Sequence, residues 1–191
     1  EGRPLPPPPV LQERPVRMGG GQERRARPAG RPRESEIQNR SGADYKVRDA
    51  EAEEGYPDHG RCLTGKGRQQ AERMAGFLSP RLPSNTRVLV SPALRAQQTA
   101  SALGNKFTTV EALDVGATPQ AVLEAAGWPL ARGATLLVGH QPWLGEIAAL
   151  LMSGSADYWS VKKGSVWWFS RRQREGDYQT VLRLVISPEH L

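Results

Sequence analysis

Cysteine is almost missing from this chain of 191 residues, where Cys62 stands alone. A disulfide framework within the chain is therefore excluded, and a zinc site built on cysteines lacks its ligands. Such poverty fits a reducing cytoplasm. Long hydrophobic runs are missing too, and nothing approaches the length of a membrane span. The first residues, EGRPLPPPPV, carry no apolar signal-peptide core. They also lack an initiator Met, so the chain reads as a fragment or a processed product. The expectation is a cytoplasmic protein with no membrane partner.

What is present is ordinary for a globular protein: 38% hydrophobic and 24% charged residues. The length suits one domain plus a tail. The net charge is +6 and the pI about 9.9, which is compatible with nucleic acid, a membrane surface or an anionic substrate. The charge is uneven, however. Residues 1–44 hold nine Arg against six acidic residues, half of the excess.

That stretch is rich in Pro, Gly and Arg (PLPPPP, RMGGG, RRARPAGRPR). It has no helical or strand periodicity and too little apolar area to offset ordering entropy, so it reads as a disordered tail. The Pro run favours polyproline II and would suit a small adaptor domain, but a solvated tail without a partner is the plainer reading. Translated upstream sequence is a third. Nucleic-acid binding by this tail has neither interleaved aromatics nor a recognised motif behind it.

From Tyr45 the pattern changes, and residues 45–191 read as one domain. Thr64 is a candidate N-cap for GKGRQQAERMAGFL, whose Ala71, Met74, Ala75 and Leu78 share a helical face. RVLVSP is a short buried strand, Val88 to Val90, after which Ser91 as N-cap and Pro92 at the first position open a helix. Phe107 to Val110 is a weak strand, and Thr118-Pro119 starts another helix. ATLLVGH is a strongly apolar strand, followed by the helix WLGEIAALLM from Pro142. SVWWFSRR and YQTVLRLVI, joined by REGD, form a hairpin. Strands alternating with helices predict an α/β sandwich, with a mainly parallel sheet flanked by helices and an antiparallel edge.

In an open α/β sheet ligands bind beyond the carboxyl ends of the strands. Arg48 and Asp49 follow Tyr45-Lys46-Val47, Arg95 lies one turn into the helix after Val90, and His140 ends the strand Thr135 to Val138. If those strands are neighbours, two guanidinium groups and an imidazole converge on a helix start, a setting suited to phosphate oxygens.

The segments RDAEAEEG, LTGKGRQQA, VLVSPALRAQQTA and LLVGHQPWLG resemble, in order and spacing, the landmarks of the SixA-type branch of the histidine phosphatase superfamily. The resemblance covers nearly all of residues 45–191. It implies the phosphoglycerate mutase-like fold and a pocket in which a histidine after the first strand takes a phosphoryl group, with no metal or other cofactor. By this resemblance Arg48 and Arg95 are the phosphate-binding arginines, His140 is the second histidine, and Arg61 is an auxiliary substrate-binding arginine at the mouth. The nucleophile position is Asp49, because RDA stands where RHA is expected. Asp44-Tyr45-Lys46-Val47 is also a poor sequence for a buried parallel strand. Both departures lie beside the tail and together read as an altered start of the domain, able to misdirect the first strand and displace Arg48 and Asp49.

Without the resemblance the same residues have plainer readings. Asp49 would be a loop carboxylate, Arg95 a helix-surface charge and His140 a structural histidine. His59 in EEGYPDHGR, despite its neighbouring Gly60-Arg61, has no strand before it and reads as a loop residue. Cys62 reads as small and partly buried, and His190 as solvated. Trp167 and Trp168 alternate across a strand, one toward the core and one toward an exposed or interface surface.

The function implied by the resemblance is hydrolysis of phosphohistidine on a protein such as a phosphotransfer domain, with phosphate or vanadate as pocket ligands. About 40 residues separate Arg95 from His140, too few for a large insertion carrying a general acid. Imidazole leaves readily, so this substrate needs less help. With Asp49 in place of histidine, the alternative is a catalytically dead phosphate- or phosphoprotein-binding module. As a first test, limited proteolysis should trim residues 1–44 and leave a resistant fragment of about 16 kDa. A resistant fragment that retains Pro4–Pro32 would contradict this division.

Overall fold

The alternation read along the chain folds into one six-stranded sheet, in a computed structural model that describes residues 42–104, 106–174 and 177–191. The strands are β1 (Ala43–Arg48), β2 (Arg87–Val90), β3 (Thr108–Thr109), β4 (Ala134–Gly139), β5 (Val166–Arg174) and β6 (Asp177–Ile186). Their order is β3-β2-β4-β1-β5-β6. The first four are parallel and the β5–β6 hairpin runs antiparallel against β1. The helices are α1 (Gly65–Leu78), α2 (Leu94–Ser101), α3 (Pro119–Ala126) and α4 (Trp143–Ser153). The expected tail lies outside the described residues save for its last three, and β1 already begins at Ala43. Among the described residues no helix is long and apolar enough to cross a membrane.

The period-2 alternation of the strands sorts the core into two layers. Tyr45, Val47, Val90, Leu136, Val138 and Val166 face Met74, Leu78, Ala96 and Ala100 of α1 and α2. Leu89 and Leu137 face Val122, Leu123, Leu144 and Ile147 of α3 and α4. The result is a three-layer sandwich. Thr64 caps α1 as expected, accepting a bond from the Gly67 N–H at 2.9 Å. Gly67 itself is dictated by packing, since a Cβ there would lie 1.9 Å from the Glu51 carbonyl oxygen.

Some expectations need correction. α2 starts at Leu94 with Ala93 at the cap, although the Ser91 hydroxyl still accepts the Ala93 N–H at 3.2 Å. The weak strand shrinks to Thr108–Thr109. Cys62 is exposed. Trp167 and Trp168 are both half-buried, one on each face: Trp168 stacks on Tyr45 at 5.0 Å, and Trp167 lies 6.3 Å from Phe169.

The chief correction concerns β1. Its polar residues neither expel it from the sheet nor misdirect it; it is a central strand between β4 and β5. Asp44 and Lys46 point to the same face two residues apart and form an ion pair of 2.6 Å, both nearly inaccessible. The Lys46 ammonium also sits 5.0 Å from the Phe169 ring centre and 5.7 Å from that of Trp128. Burial pushes the Asp44 carboxyl above its ordinary range despite the opposing pull of Lys46. One of its oxygens, Oδ1, is buried without a partner.

A buried pair of this kind costs desolvation that its attraction barely offsets, whereas removing one member strands the other. Asp44→Val should therefore lower unfolding free energy by about 3–5 kcal/mol, while Asp44→Val with Lys46→Ile should be neutral or stabilising by about 1–4 kcal/mol. Urea denaturation measures both, and a double variant as unstable as the single one would contradict this account.

Candidate functional site

The sheet order explains why distant residues meet. β4 lies between β1 and β2, so the carboxyl ends of these three strands are adjacent. Arg48 is the last residue of β1 and pairs with Gly139, the last of β4. The Asp49 N–H bonds the Gly139 carbonyl at 2.8 Å, and the Ser91 N–H bonds that of Val138 at 3.0 Å. Asp49, His140 and Ser91 are thereby fixed side by side, and Arg95 joins them from the first turn of α2. Gly139 is needed for the same closeness, because a Cβ there would lie 2.1 Å from the Trp143 indole.

Arg48, Asp49, Arg61, Arg95 and His140 all line one cavity of about 250 Å³, together with Asp58 and Lys163. Asp49 Oδ2 accepts from Arg95 Nε at 2.6 Å and meets His140 Nδ1 at 2.9 Å. His140 Nε2 lies 2.7 Å from Ser91 Oγ, whose oxygen also accepts the Ala93 N–H at 3.2 Å. A carboxylate can only accept, so the imidazole proton facing Asp49 sits on Nδ1, and in the neutral ring Nε2 accepts from the Ser91 hydroxyl. Asp49, Arg95, His140 and Ser91 are all buried. Arg48 donates from Nη1 to the Val161 carbonyl, and its buried Nε has no partner.

The mouth of the cavity holds a feature that the sequence reading missed. Asp58, in the 3-10 turn Asp58–Gly60, bridges the arginines: Oδ1 accepts from Arg61 Nη1 and Oδ2 from Arg95 Nη2, each at 2.9 Å. Its carbonyl takes the third Arg95 bond, from Nη1 at 2.8 Å. The bond from Arg61 is the main reason that the Asp58 carboxyl is held below its ordinary range, against some desolvation. Next to it His59, expected to be a plain loop residue, ties the turn to Asp114 at 2.7 Å. Burial raises the Asp114 carboxyl, but bonds from the Val115 N–H and His59 outweigh that and leave it lowered. The spacing of Asp58 and Arg61, three residues apart, was the one signal available beforehand.

Four cations and two carboxylates line this cavity, a surplus suited to a dianion. Among the described residues no group of three or more His, Cys, Asp or Glu is gathered as a metal ion would require.

Residues 48–115 match the histidine phosphatase superfamily (branch 1). The chain resembles that superfamily over this stretch. Its sheet is similar to that of a protein from Nakamurella multipartitia assigned as the phosphohistidine phosphatase SixA, with TM-score 0.62, 24% identity, and coverage of 78% of this chain and 96% of the other. The protein histidine phosphatase SixA complexed with tungstate gives 0.58, 24%, 78% and 98%. An Entamoeba histolytica phosphoserine phosphatase mutant in complex with phosphoserine gives 0.59, 17%, 78% and 99%. In sequence, uncharacterised proteins of two Mycobacterium tuberculosis strains are 35% identical over 102 residues, 52% of this chain. The match spans 65% of the length of those relatives.

Within this cavity Asp58 stands where an incoming anion would meet Arg61 and Arg95. Because its carboxyl is depressed, Asp58 is ionised throughout the neutral range. The hold it gives the loop is present above the unfolded aspartate value and lost only as pH falls through its lower folded value. Asp58→Asn should strengthen vanadate binding at pH 7 about two- to fivefold, the order of one exposed ion pair. Titration calorimetry measures it, and unchanged or weaker binding would show that Asp58 does not compete for the arginines.

Proposed function

We propose that the domain is a protein phosphohistidine phosphatase by descent, retaining the oxyanion pocket but with little or no turnover, because Asp49 stands at the nucleophile position. The observation that carries this reading is the Asp49 carboxylate itself. One oxygen is held by Arg95 and His140 together, two groups that the family resemblance assigns to the phosphoryl oxygens. The tungstate held by a SixA phosphatase of like fold supports an oxyanion as ligand.

In the ancestral reaction a histidine at position 49 attacks phosphorus in line. The P–N bond of the substrate breaks, its imidazole leaves and takes up a proton, and water then hydrolyses the enzyme phosphohistidine. Arg48, Arg95 and His140 stabilise the equatorial oxygens. In this chain Asp49 puts negative charge where the dianion must sit, a repulsion on the order of kcal/mol at a few Å even with generous screening. It also engages the Arg95 Nε and the His140 proton. What remains is recognition: a module that binds phosphate or a phosphohistidine-bearing protein such as a phosphotransfer domain, through Arg48, Arg61, Arg95 and His140. The same reading sets the domain in the cytoplasm, in keeping with its single cysteine.

A second reading rests on one observation. Asp49 lines the cavity, and a carboxylate is chemically able to accept a phosphoryl group. The test is hydrolysis of phosphohistidine peptides by the unmodified chain, by Asp49→His and by Asp49→His with Arg95→Ala. β1 is in place to present residue 49, so Asp49→His should raise turnover at least about a thousandfold, and the added Arg95→Ala should remove the gain. Rapid turnover by the unmodified chain, abolished by Asp49→Asn, would instead make the aspartate the nucleophile.

A further inference from the structure

We propose that a basic groove beside the pocket docks an acidic stretch of the phosphoprotein, within about three residues of the phosphorylated side chain. This rests on the phosphohistidine-protein reading above and extends it to the substrate surface.

The groove, about 380 Å³, lies between α1 and the turn ahead of β5. It is lined by Lys66 and Arg73 of α1, by Lys162 and Lys163 of the turn, and by one acid, Glu189. Lys163 also lines the phosphate cavity, so the two sites adjoin. Its place is secured by backbone. The Gly164 N–H bonds the carbonyls of Arg48 and Asp49 at 3.1 Å, and the Arg48 N–H bonds that of Ser165 at 3.0 Å. Gly164 makes the turn possible with φ of +71°.

Only two of these four cations are paired internally. Lys66 pairs with Glu51 and Lys162 with Glu189. Among the described residues, Arg73 and Lys163 have no carboxylate partner. Lys66 and Arg73 are both exposed and seven residues apart, so they share a helix face about 10 Å long. That is the span of about three extended residues. A protein whose phosphohistidine enters the cavity past Lys163 must lay its neighbouring surface along this face, and acidic side chains complement it.

The test uses peptides that carry a non-hydrolysable phosphohistidine analogue with acidic, neutral or basic flanks, titrated by fluorescence anisotropy into the full chain and into Lys66→Glu with Arg73→Glu. Neither substituted residue lines the phosphate cavity, and the Arg-rich tail is common to both proteins. The acidic flank should improve binding to the unmodified chain about tenfold over the neutral flank, as several exposed ion pairs together would. The double variant should lose that gain, bind the basic-flanked peptide better than the unmodified chain does, and bind vanadate unchanged. That gain for basic flanks keeps the test decisive, since a misfolded variant gains nothing. No flank preference, or a preference that survives the reversal, would overturn the docking proposal while leaving the pocket intact. Binding of a poly-uridine oligonucleotide as tight as that of the acidic peptide, lost in the same variant, would overturn it in favour of a nucleic-acid groove. Failure of the unmodified chain to bind vanadate would instead sink the pocket reading, and the docking proposal with it.

Discussion

One oxygen, Asp49 Oδ2, lies within hydrogen-bond distance of both Arg95 and His140 at the closed end of the cavity, and the rest of the site is arranged around that contact. Three ionisable groups are buried together there, and such burial is tolerable only when each finds a partner. Arg95 satisfies Asp49 with Nε and spends its two remaining nitrogens on Asp58. His140 satisfies Asp49 with one nitrogen and Ser91 with the other. A change at position 49 therefore reaches the arginine, the imidazole tautomer and the loop at the mouth together. The buried groups thus form a cluster that neutralises itself within a fixed frame.

That frame is set by backbone. Arg48, Asp49 and the turn at Gly164 are tied by main-chain bonds, as are Asp49 to Gly139 and Ser91 to Val138. These bonds are indifferent to the side chain at position 49. The same indifference lets β1 keep a central place while burying Asp44 and Lys46, whose mutual charge takes over the role that apolar residues would otherwise play. Beyond this rigid end, the Asp58–Gly60 turn buries none of its residues and is held by polar contacts at its carboxylate, its carbonyl and His59. Segments held in that way open at lower cost than packed ones. The pocket is thus rigid at its base and yielding at its rim, where Asp58 and the neighbouring lysines meet whatever enters.

Much of this was legible in the amino-acid order. Apolar periods of two and of three to four residues placed the strands and helices, Thr64 announced a cap, and the chain ends of ATLLVGH and VLVSPALR marked His140 and Arg95. Local chemistry sufficed there, because periodicity and capping depend on neighbours in sequence. Tertiary structure decided everything that depends on which strands adjoin. The placement of β4 between β1 and β2 brought Arg48, Arg95 and His140 together. The closure of two faces over β1 turned Asp44 and Lys46 from an apparent fault into an ion pair. The return of the 53–62 loop over the strand ends put Asp58 on two arginines, one of them 37 residues away. No spacing rule predicts such a contact: it depends on the direction in which a loop without an apolar anchor crosses the sheet, and only the packed sheet and the charges at its edge set that direction.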